Sequence, residues 1–513
     1  MRNRSVIALV LLPGLILAGC SRPPSEFAYN EAGAGAAPIA GMDRYDGHPV
    51  SPIHQVANDP VSTFAVDVDT GAYANVRRML LGGQTVPADA VRTEEMINYF
   101  RYDYPLPEDR SAPFSVTTDM STTPWNPGTR LLRIGLRGYD VARSQRPPAN
   151  LVFMVDVSGS MQDADKLPLV KQALSTLADG LRPDDSVSII TYAGWVETLV
   201  EGSHDAAEIK AALDGLDAQG ATAGGPALAM AYDLARAHRI PGGINRIIMA
   251  TDGDFNVGLS DQQGLEDMVK QNREDRITLT TLGFGQGNYN DAMMEAVADL
   301  GNGNHAYIDS AMEARKVLAQ ELSSTLFTIA KDVKVQVEFN PATVSQYRLI
   351  GYENRALAEE DFADDRVDAG EIGAGHQVTA VYEIVPAGDT GWTGPRKYTA
   401  NQAPAGTGDA SELATVRLRY KLPEGSTSRL IERPVPATLI STAGQPQGDM
   451  AFAIAVAAFG QKLRGDTRLG GFDYADIVHL AGPQSDYWRE EFVQLAGLAA
   501  SGQRHVWNGE AGD

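Results

Sequence analysis

The sequence predicts an α/β fold: a doubly wound, mainly parallel sheet inserted in a flanking β-rich unit, followed by a helical C-terminal region. Three observations carry that expectation. From Asn150 to about Ile329, strand-like and helix-like segments alternate without a break. After Lys331 the helical spacing stops and strand-like runs follow one another; from Asp449 to the end, apolar residues return to helical spacing. At 513 residues the chain also exceeds what one hydrophobic core covers, roughly 250 to 300 residues, so several structural units are expected. A hydrophobic fraction of 43% with 21% charged residues is that of folded protein.

The chain opens with Arg2 and Arg4, an uncharged run from Val6 to Ala18, and Leu17-Ala18-Gly19-Cys20. That run is too short for a bilayer of ~30 Å and reads as a signal peptide over residues 1–19. Leu-Ala-Gly-Cys resembles the lipobox of bacterial lipoproteins, which implies cleavage before Cys20, acylation of its thiol and attachment to a membrane of the cell envelope. Acyl chains contribute ~0.8 kcal/mol per buried methylene, so the two or three carried by such lipoproteins anchor stably. Ser21 stands where Asp favours inner-membrane retention, which points to the outer membrane, facing the periplasm or the surface. Cys20 is the only cysteine, so disulfides and thiolate metal sites are excluded.

Residues 20–60, rich in Gly, Ala and Pro, read as a flexible tether. An N-terminal α+β region, 61–149, follows. Val61–Val68 is β-like, Tyr73–Leu81 and Ala90–Phe100 have helical spacing, and Phe114–Met120 and Leu131–Leu136 are strands separated by the turn-forming Pro124-Trp-Asn-Pro-Gly128. Within 150–329, the continuous apolar run Leu151–Val155 is a strand buried on both faces. Val187–Tyr192, Arg246–Ala250, Ile277–Phe284 and His305–Ile308 are further strands. Helices are expected at Lys166–Leu181, Ala206–Leu216, Pro226–Arg239, Gln262–Asn272, Asp291–Leu300 and Met312–Leu326. A β-rich domain, 330–445, contains Val333–Phe339, Tyr347–Gly351, His376–Ile384 and Ala414–Lys421. A helical region, 446–513, carries the Ala-rich Met450–Leu463 and the aromatic Ser485–Ala500.

Ligands of open α/β sheets sit beyond the carboxyl ends of the strands. There, Asp156-Val-Ser-Gly-Ser-Met161 presents one carboxylate and two hydroxyls at alternate positions. Gly220-Ala-Thr-Ala-Gly-Gly225 adds the hydroxyl of Thr222, and Thr251-Asp252-Gly253-Asp254 a second carboxylate. All-oxygen donors of this kind form a hard-cation site, Mg²⁺ being the expected ion and Ca²⁺ or Mn²⁺ the alternatives. Asp156, Ser158, Ser160, Thr222 and Asp252 match the metal-ion-dependent adhesion site (MIDAS) of the von Willebrand factor A (VWA) family, and residues 150–329 resemble its domain. The resemblance implies that the three hydroxyls contact the ion while the carboxylates act mostly through water. An ion with few direct negative ligands then takes an acidic side chain from a protein partner. The order of segments also resembles a family of bacterial lipoproteins with a VWA domain between an N-terminal region and a C-terminal domain of unassigned function. Asp254 and Asn256 read either as hydrogen-bonding support behind the ligands or, better, as a solvated turn.

Several other signals point elsewhere and are weaker. Asp67-Val-Asp69-Thr70-Gly71 has Gly where an aspartyl phosphatase wants Thr or Val, and lacks the second loop of an aspartic protease; capping of the following helix accounts for it better. Gly283-Phe-Gly-Gln-Gly287 spaces its glycines wrongly for a dinucleotide and reads as a rim loop, with Asn288 or Asn290 capping the next helix. The eight histidines show no zinc-hydrolase spacing, and no Gly-x-Ser-x-Gly occurs. The stripe at Trp488 reads as core packing. A net charge of −23 argues against nucleic acid. The expected function is therefore a membrane-anchored, metal-dependent protein-binding or scaffold module without enzymatic activity. Its rivals are a hydrolase activating water with Asp156 and Asp252, and a structural envelope lipoprotein.

Overall fold

The computed structural model describes residues 43–66, 68–221, 224–253, 268–269, 272, 275–321, 326–394 and 410–507. The signal peptide, Cys20 and most of the tether lie outside the described residues, as do Thr222, Asp254, Asn256 and most of the helix expected at Gln262–Asn272. Among the described residues no helix is long and apolar enough to cross a membrane.

The N-terminal region contributes β1 (His54–Gln55), β2 (Val61–Ala65), α1 (Gly71–Leu81), α2 (Thr93–Asn98), β3 (Phe114–Thr123) and β4 (Asn126–Gly138). The central region follows with β5 (Ala149–Asp156), α3 (Leu167–Ala178), β6 (Ser186–Tyr192), β7 (Val196–Ser203), α4 (Ala206–Asp214), α5 (Gly224–Ala237) and β8 (Ile244–Thr251). It continues through β9 (Thr278–Phe284), α6 (Asp291–Leu300), β10 (His305–Ile308) and α7 (Ala311–Arg315). Its strands form one six-stranded sheet in the order β10-β9-β8-β5-β6-β7, every pairing parallel except β6 with β7. Side chains of β5 alternate between two cores. Leu151, Phe153 and Val155 pack with Val170 and Leu174 of α3 and Ile209 of α4; Val152 and Met154 pack with Leu228 of α5 and Met294 of α6. Helices thus cover both faces, as the apolar run of β5 requires. The last helix differs from its expected extent: α7 passes into a π-helical turn at Lys316–Gln320.

Downstream come β11 (Thr328–Phe339), β12 (Val344–Ile350), β13 (Ala356–Leu357), β14 (Ile372–Gly373), β15 (Gln377–Pro386), β16 (Glu412–Lys421) and β17 (Arg429–Pro436), then α8 (Thr438–Thr442), α9 (Gly448–Leu463), α10 (Tyr474–Ala481) and α11 (Tyr487–Trp507). Strands from before and after the central region interleave in two sheets. One has the order β1-β12-β15-β4-β3, with Ile134 opposite Ala380; the other has β13-β2-β11-β16-β17, with Phe64 opposite Val335. The two sheets share one core, in which Leu132, Ile134 and Tyr382 meet Val335, Val337 and Val416. The central region is accordingly an insertion, and Pro147 and Phe327, near its two ends, line the same cleft. The opposite face of β4 and β15, through Leu131 and Val381, packs on the C-terminal helices with Phe100, Phe452 and Phe492. There α9 is buried from Met450 to Gln461, which explains its Ala-rich sequence, and the Trp488 ring meets Tyr99 edge-on at 5.8 Å.

One local expectation is corrected. Thr70 makes no side-chain cap at the start of α1, and the Asp69 carboxylate instead accepts a hydrogen bond from the His305 amide (2.8 Å) on the free edge of β10. A strand edge leaves its amides unpaired, and Asp69 satisfies one of them.

Candidate metal centre at the carboxyl ends of the central strands

Asp156 is the last residue of β5 and is fully buried. Its Oδ1 accepts from the Ser158 amide (2.9 Å) and its Oδ2 from the Thr251 hydroxyl (2.9 Å) at the end of β8. Two neighbouring parallel strands are thereby tied at their carboxyl ends. The Ser158 and Ser160 hydroxyls lie 3.1 Å apart; Ser158 is buried, whereas Ser160 is exposed, so the centre opens to solvent at Ser160. Gly159 donates its amide to Gly220 O (2.9 Å) and Gln219 donates to Val157 O (2.7 Å), holding the loop that leads to Thr222 against the Asp-x-Ser-x-Ser turn. Asp252 is fully buried. The next residue, Gly253, has φ +87° and approaches Asn290 so closely that a Cβ would stand 2.4 Å from its amide nitrogen, which explains the glycine after Asp252.

Four of the five expected ligands, Asp156, Ser158, Ser160 and Asp252, therefore meet at one pole of the sheet. Burial, and next the charge of Asp252, push the Asp156 carboxyl up to about 6, against the bonds from Ser158 and Thr251 that favour the anion. Two buried carboxylates that raise each other's cost, with paired hydroxyls beside them, are a donor set suited to a hard divalent cation. Among the described residues no group of three or more His, Cys, Asp or Glu side chains is placed to hold a metal.

Three roles escape a reading of the sequence. Thr251 orients Asp156. Lys166 reaches Asp252 Oδ2 with its ammonium (3.0 Å), and donates to Asn288 Oδ1 (3.0 Å). Asn288 lies on the loop between β9 and α6, whose helix cap is Asn290, accepting from the Met293 amide. That loop is the expected rim of the site, and it is held from outside by the N-terminal segment. Asp43 Oδ1 accepts from the Gly287 and Tyr289 amides (2.8 and 3.3 Å), while Arg44 exchanges backbone hydrogen bonds with Tyr289 and Asp291.

Residues 150–322 match the family model of the von Willebrand factor type A domain, and residues 40–133 that of von Willebrand factor. Residues 324–501 match the model described as "Uncharacterized protein YfbK, C-terminal". The Escherichia coli K12 protein YfbK is 44% identical over 472 residues, covering 90% of this chain and 81% of YfbK. The chain belongs to the YfbK family. The Synechocystis protein sll0103 is 25% identical over 355 residues (67% of this chain, 79% of that protein), and the Pongo abelii inter-alpha-trypsin inhibitor heavy chain H3 is 26% identical over 259 (46% and 29%). Among solved structures, the von Willebrand factor type A protein from Catenulispora acidiphila is 16% identical with a TM-score of 0.40, covering 74% of this chain and 88% of its own. Proximal thread matrix protein 1 from the mussel byssus, solved with a zinc-occupied MIDAS motif, is 19% identical with a TM-score of 0.29, covering 36% and 46%. The YfbK-family chain thus carries the VWA domain that its Asp-x-Ser-x-Ser pattern implied. VWA domains mediate protein–protein interactions and commonly bind a divalent cation at the MIDAS.

Proposed function

We propose that this protein is a lipid-anchored protein of the cell envelope whose VWA domain captures a protein partner through a divalent cation, Mg²⁺ by preference. The carrying observation is the joint placement of Asp156, Ser158, Ser160 and Asp252 at one pole of the sheet, with Ser160 at the surface. In this reading Ser158, Ser160 and Thr222 hold the ion by their hydroxyls and Asp156 and Asp252 through water. The bound ion supplies an electrophilic point that completes its six-fold coordination with a partner's carboxylate. The chain itself orients both carboxylates: both Asp156 oxygens accept hydrogen bonds, from Ser158 and Thr251, and Asp252 is ion-paired with Lys166. Cleavage before Cys20 and acylation of its thiol provide the anchor, with the outer membrane as destination.

Thermal melting with Mg²⁺ or chelator, combined with capture of partners from membranes, tests this reading. An ion bound only by the folded state stabilises it by ~2.7 kcal/mol at a hundred times its dissociation constant. Asp156→Ala should lose both that gain and the captured partner while its far-ultraviolet circular dichroism stays unchanged. Full capture by Asp156→Ala, with melting indifferent to chelator, would replace the adhesion reading with a structural one.

A further inference from the structure

Lys166 stands immediately before α3, and its side chain is 5% exposed. Its stem crosses the rim loop at Gly285, where a Cβ would lie 2.4 Å from Lys166 Cγ and Cε; Gly285 has φ +70°. The bare backbone at this point leaves a channel for the lysine stem. At the channel's end the ammonium is shared between Asp252 and Asn288, both at 3.0 Å. A strongly hydrated ammonium is withdrawn from water only where a buried anion compensates it, and the compensating group is one of the two carboxylates of the metal centre.

We propose that Lys166 is a tethered counter-cation of that centre: it neutralises Asp252 when no metal is bound, and its charge weakens divalent-cation binding so that loading is reversible. The proposal rests on the metal-binding reading above. Asp156 has its own donors in Ser158 and Thr251, and the chain supplies Asp252 with a full positive charge instead. Pinned over Gly285 and by Asn288, the ammonium has little room to withdraw when an ion arrives. At a separation of ~6 Å, even bulk-water screening leaves a repulsion between a monovalent and a divalent charge equivalent to about tenfold in affinity.

The test is Mn²⁺ binding to the mature chain by calorimetry, with melting in the presence and absence of chelator. Lys166→Gln should bind Mn²⁺ about tenfold more tightly than wild type and lose more melting temperature to chelator, because the ammonium no longer compensates Asp252. Lys166→Arg keeps the charge and should stay near the wild-type affinity. Asn288→Ala releases the ammonium without touching a carboxylate; it should also tighten binding, and it serves if Lys166→Gln does not fold. Unchanged or weaker Mn²⁺ binding in Lys166→Gln and Asn288→Ala would overturn the proposal, leaving Lys166 as a strut for Asp252. The metal reading is judged separately. It stands if wild type binds Mn²⁺ and Asp156→Ala does not, whatever Lys166→Gln does; if wild type binds none, both fall.

Discussion

Burial of the His376 imidazole pushes its pKa down to about 4, with Arg101 and Lys316 adding to the shift against Glu321. The ring stays neutral in the folded chain while the unfolded chain takes up a proton below about 6.5. The unfolded state therefore binds more protons over that interval, and stability falls as pH drops from about 6.5 to about 4, by at most about 3 kcal/mol from this residue. His376→Gln should flatten the acid limb of a urea-stability profile over that range; parallel profiles for the two proteins would contradict the assignment. Lys166 marks the limit of what single residues disclose. The expected donors of the candidate metal centre were legible because Asp-x-Ser-x-Ser and Thr-Asp-Gly keep their spacing within single loops. The role of Lys166 depends on Gly285 and Asn288, more than a hundred positions away along the chain, and a lysine at the start of a helix otherwise reads as solvated.

Arg77 does for the elements what Lys166 does for the site. From α1 its guanidinium donates to Asp309 (2.5 and 2.7 Å) after β10, to Glu313 (2.7 Å) on α7, and to Glu491 (3.0 Å) on α11, with Tyr99 as a further acceptor. Five donors in a planar fork match this set, and lysine cannot. Arg77→Met leaves buried carboxylates uncompensated and should cost ~3–5 kcal/mol in urea unfolding, with faster proteolysis of α11; Arg77→Lys should rescue little of it. Strands such as β5 and β11 were found in advance because most of their residues are buried. Those missed are edges. β7 exposes Glu197, Leu199 and Glu201, and β17 contains Pro434, a residue compatible only with a strand border, so neither carries the apolar signal of a strand interior. The helix α10 is eight residues long, and its Asp473–Asp476 capping box is a weaker signal than periodicity.

Across the whole molecule, the central region leans on its flanks. Arg92 on the N-terminal side pairs with Asp291 and with Glu295 (3.2 Å) of α6, and Asp69 caps the open edge of β10. A fragment spanning 150–329 loses Arg77, Arg92 and Asp69 together. It should melt at least about 10 °C below the full mature chain, given ~2–4 °C per kcal/mol at this size, whereas the mature chain should give one calorimetric transition. Equal melting temperatures would show the insertion to be self-sufficient. For the anchor, a fatty-acid analogue should label wild type and not Cys20→Ser; equal labelling of both would remove lipidation from the proposed function. The insertion topology was legible because strand-like runs flank an unbroken α/β pattern; the division of those runs between two facing sheets was not, since register partners such as Ile134 and Ala380 are remote in sequence. The hydrogen bonds that bind Asp43 and Arg44 to the rim loop reach the candidate metal centre from outside the central region. Asp43 and Arg44 hold Gly287, Tyr289 and Asp291, and Asn288, between them in the chain, accepts from Lys166. We predict that Asp43→Ala raises hydrogen exchange at residues 285–291 and shifts Mn²⁺ affinity in the direction of Asn288→Ala. If it does, a contact made outside the central region sets the charge balance at the candidate metal centre.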